Sequence, residues 1–161
     1  GRIINKAKKA EDYIEKIKIK MDQISDLSYK FQFKPKVYFE EWNDPLITGI
    51  KWVSELIEIA GGIDIFRNKS FEPLALNRII KNPSTIVKEN PDIIIGSWCG
   101  KKLKKEEIIC RDGWDKINAV RNNQVYEIKS PLILQPGPAA LTDGLDEIFK
   151  IILKWKNFIT S

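Results

Sequence analysis

Asn90-Pro91-Asp92-Ile93-Ile94-Ile95-Gly96-Ser97-Trp98-Cys99-Gly100 is the stretch on which the fold turns. Its apolar run is bounded by proline and glycine and has the length of a strand rather than a helix. Because it does not alternate with polar residues, it suits a strand buried on both faces, as in a parallel sheet covered by helices. At Gly96 the run gives way to small and aromatic residues. In open α/β sheets ligands collect at the carboxyl ends of the strands, which here is Gly96-Ser97-Trp98-Cys99-Gly100.

The flanking chain has a β-α-β rhythm. Upstream, Asn82-Pro83-Ser84 starts a short helix leading into this strand. Earlier still, Val37-Tyr38-Phe39 reads as a strand that leaves through a loop, Glu40-Glu41-Trp42-Asn43-Asp44-Pro45. Adjacent carboxylates at its end point to opposite faces, so Glu40 and Glu41 do not share a proton. Ile50, Val53, Leu56, Ile57 and Ala60 then mark one side of a helix, and Gly61-Gly62 ends it with residues that tolerate left-handed geometry. Residues 67–80 read as an irregular surface connection.

Downstream, Lys101 to Lys105 reads as a solvated basic turn before a short helical piece with Ile108 and Ile109. Asn122-Asn123 signals a turn, and Val125-Tyr126-Glu127-Ile128 another strand. The segment that follows, from Ser130 to Pro138, contains three prolines and reads as a stiff loop. A last helix, from about residue 139 to 158, carries Leu141, Leu145, Ile148, Ile152 and Trp155 at helical spacing. The fold class is α/β with a mostly parallel sheet.

The first segment is different in kind. Ile3, Ala7, Ala10, Ile14, Ile17, Met21 and Ile24 recur at steps of four and three, with lysine and acidic residues between them. One amphipathic helix running to residue 29 would be about 40 Å long. The rest of the chain would have a radius of gyration of only about 14 Å. Such a helix is either a coiled-coil or packing helix, or a strut to another domain.

Composition removes several classes. The 161 residues are 43% apolar, enough for a core in one domain or one domain with an appendage. Histidine is absent, which excludes Ser-His-Asp and Cys-His nucleophile systems and His-ligated metals. Lys and Arg outnumber Asp and Glu by 27 to 22, but the lysines are dispersed, so nucleic-acid binding is not expected. Cys99 and Cys110 are too few for a disulfide framework and can pair or stay reduced. No run of 18 apolar residues appears, so no membrane span is expected. There is no G-x-G-x-x-G after a strand, which disfavours a dinucleotide site.

Several segments together carry a family resemblance. They are Val37-Tyr38-Phe39-Glu40-Glu41-Trp42 with Asp44-Pro45-Leu46, the run Trp52-Val53-Ser54-Glu55-Leu56-Ile57-Glu58-Ile59-Ala60-Gly61-Gly62, and Asn90-Pro91-Asp92-Ile93-Ile94. Gly113-Trp114 with Ala119-Val120, and Leu134-Gln135-Pro136-Gly137-Pro138 with Asp143-Gly144-Leu145, continue it in the same order. Together they resemble the C-terminal lobe of substrate-binding proteins of ABC importers, in the branch for vitamin B12 and ferric siderophores. The resemblance implies a Rossmann-like three-layer lobe over residues 35–161, preceded by a long interlobe helix over residues 1–31. The N-terminal lobe would then be absent from this sequence.

The resemblance also implies a site, partners and a location. Cleft-facing loops would carry Glu41 and Trp42 after the first strand, Ser97, Trp98 and Cys99 after the central one, and Leu134 and Gln135 after the last, with Trp114 near the same rim. Aromatic faces suit a flat macrocycle or aryl chelate, and Glu41 and Gln135 would orient it by polar contacts. Trp42 and Trp98 can equally be packing residues. The implied ligand is cobalamin, another corrinoid or a ferric siderophore, carried as cargo with no catalytic cofactor. Implied partners are the N-terminal lobe and the permease subunits, and the implied location is extracytoplasmic. One departure concerns docking: where the family commonly has a glutamate that meets the permease, this chain has Asn82-Pro83-Ser84-Thr85, leaving Glu72 or Glu89 as substitutes. A different class also fits the residues, a Rossmann-type enzyme or redox domain with Cys99 as its thiol, activated by Lys101 and Lys102.

Overall fold

The computed structural model describes residues 5–161. Helix α1 (Ala7–Tyr29) leads into β1 (Lys36–Asn43), β2 (Leu46–Thr48), α2 (Lys51–Ile59), β3 (Ile63–Asp64) and α3 (Arg67–Ser70). A 3₁₀ turn (Ala75–Arg78) precedes α4 (Ser84–Glu89), β4 (Ile93–Gly96) and α5 (Glu106–Ile109). The chain continues through a second 3₁₀ turn (Trp114–Lys116), α6 (Asn118–Arg121), β5 (Val125–Glu127) and α7 (Ser130–Ile133). A π-helical turn (Ala140–Gly144) then opens α8 (Leu145–Thr160). Ile3 of the expected apolar stripe lies outside the described residues.

The sheet is mostly parallel. β4 lies between β1 and β5 and is parallel to both, and the far edge of β1 pairs in parallel with β3 at its start and antiparallel with β2 at its end. A strand with neighbours on both sides and helices on both faces has to be apolar throughout. Ile93, Ile94 and Ile95 are accordingly without exposure.

The pleat divides these residues between two cores. Val37, Phe39, Ile93 and Ile95 pack with Ile24 of α1, with Val53, Leu56 and Ile57 of α2, and with Leu145, Ile148 and Ile152 of α8. Tyr38, Ile94 and Val125 point to the opposite side, against Ile86 of α4, Ile108 of α5, Trp114 and Ile117. Each fully buried aliphatic side chain contributes roughly 1.5–3 kcal/mol. Helix, sheet and helix form three layers, as expected.

Helix α1 uses only part of its apolar stripe. Ile17 and Ile24 are buried and the Ser28 hydroxyl donates to the Ile59 carbonyl at 2.8 Å, whereas Tyr13, Ile14, Ile19 and Leu27 remain exposed. The helix is held through its carboxyl-terminal half.

Two expected loops are corrected. Residues 40–43 continue β1 and pair with β2 across a bulge between Glu40 and Trp42. Their carboxylates look solvated in the sequence, but arginines distant in the chain neutralise both. Residues 130–133 form α7, because proline is well tolerated in a first helical turn, where its missing N–H has no partner to lose.

Gly61 joins α2 to β3 at φ 93°, and a Cβ there would stand 2.8 Å from Ser28 Cβ and 2.9 Å from the Phe31 ring. Gly137 has open space around its missing Cβ. Gly61→Ala should therefore lower unfolding free energy by about 1–3 kcal/mol, while Gly137→Ala leaves it unchanged or raises it by up to about 1 kcal/mol. Urea unfolding of both variants tests this; equal losses would contradict the assigned turn.

Candidate functional site

At the carboxyl edge of the sheet, β4 and β5 stop while β1 runs on into its hairpin. Between the loops that leave β4 and β5 lies an open groove of about 500 Å³. Trp98 and Ile128 contribute apolar surface, and Lys101, Lys102 and Lys129 stand around it. Two contacts tie the loops together: the Gly100 N–H donates to Ser130 Oγ at 3.4 Å, and the Leu103 N–H donates to the Glu127 carboxylate at 2.9 Å. Leu103 lies over Gly96, where any Cβ would overlap it.

Through Trp98 the groove adjoins a buried charge network, whose Arg111 borders a second cavity. Glu40 has no exposure and accepts from Arg111 Nη1 at 2.6 Å and Nη2 at 2.8 Å, from the Trp98 indole at 3.0 Å and from the Tyr38 hydroxyl at 3.1 Å. Burial alone would lower the pKa of Arg111, but its hydrogen bonds to Glu40 and that residue's charge hold it above the ordinary value. Burial, reinforced by the charge of Glu40, raises the Tyr38 phenol well above its ordinary value, so it serves as a donor. Glu41, within the bulge, accepts from Arg78 at 2.6 and 3.1 Å; Arg78 also donates to the Thr48 carbonyl.

The expected site residues separate into groups. Ser97, Trp98 and Cys99 lie at the end of β4, and Trp98 itself borders the groove. Trp98 is only 2% exposed, its indole is used by Glu40, and Lys101 Nζ sits 4.8 Å from its ring centre. The open aromatic face expected of Trp98 is therefore corrected to a packed ring capped by a cation. Ser97 is fully buried with its hydroxyl unpartnered, and Cys99 is exposed and free, as is Cys110.

The other expected residues stand apart. Trp114 is 1% exposed, packed edge-on against Tyr38 with Arg111 over its ring. It borders a different cavity, of about 750 Å³, together with Asn43, Leu46 and Val87. Half-buried Trp42 donates its indole N–H to the Asp44 carbonyl at the hairpin tip, and Glu41 is engaged by Arg78. Leu134 and Gln135 follow α7 and do not line the groove. Of the substitutes considered for docking, Glu89 lies 3.4 Å from Lys36, and Glu72 accepts from Asn77 at 3.0 Å.

The lysines were not foreseen as ligand-binding residues; Lys101 and Lys102 were expected only to activate Cys99 in the alternative reading. The available signal was positional, since Lys129 comes two residues after β5 and Lys101 and Lys102 follow directly on the small-residue end of the β4 loop. Among the described residues no group of three or more Cys, Asp or Glu side chains could hold a metal ion.

With this geometry in place, comparisons with known proteins define the class. Residues 1–132 match the sequence profile of the periplasmic binding protein family. The chain belongs to that family. The ABC transporter substrate-binding lipoprotein YvrC of Bacillus subtilis is 37% identical over 67 residues, covering 42% of this chain and 20% of YvrC. The high-affinity heme uptake system protein IsdE of Staphylococcus aureus is 27% identical over 131 residues, covering 76% of this chain and 42% of IsdE. The structure of IsdE complexed with heme superposes with a TM-score of 0.76 at 21% identity, over 94% of this chain and 60% of IsdE. An ABC transporter substrate-binding protein from Listeria monocytogenes superposes with a TM-score of 0.78 at 21% identity, over 96% and 60% of the two chains. This chain therefore spans less than half the length of those curated relatives. Membership of a binding-protein family sets aside the enzymatic reading of Cys99.

Removing one member of a buried ion pair leaves the other charge uncompensated, typically at a cost of about 3–5 kcal/mol. Glu40→Gln should destabilise the chain by that amount and make Trp98 fluorescence more accessible to quenchers. Chemical unfolding with acrylamide quenching measures both; a loss below about 1 kcal/mol would show that the network does not hold the groove.

Proposed function

We propose that this chain is the C-terminal lobe and interlobe helix of a solute-binding receptor, which captures a metal chelate outside the cytoplasm and delivers it to the permease subunits of an ABC importer. The observation that carries this reading is the match to IsdE over 131 residues that make up only 42% of that protein. Two features of the structure support it. The groove at the sheet's carboxyl edge is open, as half of an interlobe cleft would be. The exposed Tyr13, Ile14, Ile19 and Leu27 on α1 give a second lobe apolar surface to pack on. No helix among the described residues is long and apolar enough to cross a membrane, which suits a receptor working beside a separate permease.

Haem, a corrinoid and a ferric siderophore are the ligand classes in view, and haem is favoured by the likeness to IsdE. Since the sequence contains no histidine, any iron ligand from this lobe is not an imidazole.

Affinity in a two-walled cleft needs both walls, because a single wall buries only part of the ligand. Calorimetric titration with hemin, cyanocobalamin and a set of ferric siderophores should give a Kd of about 1 μM or tighter for one of them with the longer receptor, N-terminal lobe included. The isolated chain should bind that ligand at least about 100-fold more weakly. Absence of binding by the longer receptor to every chelate would contradict the proposal.

A further inference from the structure

Resting on the receptor reading above, we infer that the groove between the β4 and β5 loops selects chelates bearing anionic oxygens at their periphery, recognised by Lys101, Lys102 and Lys129. The three ammonium groups border one cavity whose single carboxylate, Glu127, already accepts the Leu103 N–H. Cations thus outnumber carboxylates along the lining of the groove. Among the described residues Lys102 and Lys129 have no carboxylate within ion-pairing distance, and Lys101 has only a long contact of 3.6 Å to Glu107 across an exposed gap. Such a contact gives little stability, so Lys101 remains available.

Clustered like charges repel one another, which is a cost to the compact state. The arrangement does complement a ligand that combines an apolar body with acidic edges. Trp98 and Ile128, each 2% exposed, close the base of the groove, and Pro131 is exposed on its rim. The Lys101 head is also held over the Trp98 ring at 4.8 Å, which reduces the side-chain entropy lost when an anion binds. Neutral chelates of equal size would fill the same groove and leave the charges unanswered.

The test uses the longer receptor and two matched pairs of probes: hemin against its dimethyl ester, and an anionic ferric tris-catecholate against a neutral ferric hydroxamate. In at least one pair the charged member should bind at least tenfold more tightly, and that preference should shrink as salt rises. The double variant Lys102→Gln with Lys129→Gln, at two exposed positions, should lose at least tenfold affinity for the charged member only. Arginine at the same two positions should restore it. Equal affinity for charged and neutral members, or an unaltered double variant, would overturn the inference while leaving the receptor reading intact. Failure of all four probes to bind would overturn the inference, and the receptor reading would fall with it only if cyanocobalamin also failed to bind.

Discussion

The Glu40 and Arg111 pair is the constraint on which the site depends. Glu40 stands at the point where β1 leaves the parallel sheet for its hairpin, and it is reached by Tyr38, Trp98 and Arg111. Those contacts join β1, the loop after β4 and the turn after α5. Desolvating an ion pair is costly, and a well-packed apolar replacement is often no less stable. What an apolar cluster of the same volume would lack is direction. Two short bonds from a guanidinium fix how the turn carrying Arg111 lies against the end of β1.

How much of this was readable in the sequence depended on whether the determining contact was local. β4, α2, β5 and the described part of α1 follow from hydrophobic period and punctuation, which act within a few residues. The hairpin after Phe39 did not, because Glu40 and Glu41 resemble a solvated loop until Arg111 and Arg78 arrive from 71 and 37 residues away. Likewise Pro131 looked like a loop residue but begins a helical turn. The carboxyl edge of the sheet was legible as a place, its side chains much less so. Residues 97–99 sit at the expected edge, but an aromatic residue there has the same signature whether it packs or binds, and Trp98 packs.

The structure and the family membership constrain each other. Many α/β lobes end their strands at an open edge, so the groove alone does not define a class. The family adds that the edge belongs to a binding protein, and the groove adds a rim of three lysines. The proposed receptor reading gives that surface to a ligand, and Lys102 and Lys129 on it have no carboxylate within ion-pairing distance among the described residues. On this view α1 and the groove belong together, one held to the lobe by its carboxyl-terminal half and the other forming one wall of a shared cleft.

Hydrogen–deuterium exchange of the longer receptor, with and without its bound chelate, tests the central claim most directly. If the loops after β4 and β5 form the ligand wall, residues 97–103 and 128–131 should be the segments of this lobe that gain most protection. Protection confined to the cavity beside Trp114, around residues 83–88 and 111–116, would contradict the account and move the site to the other face of the lobe.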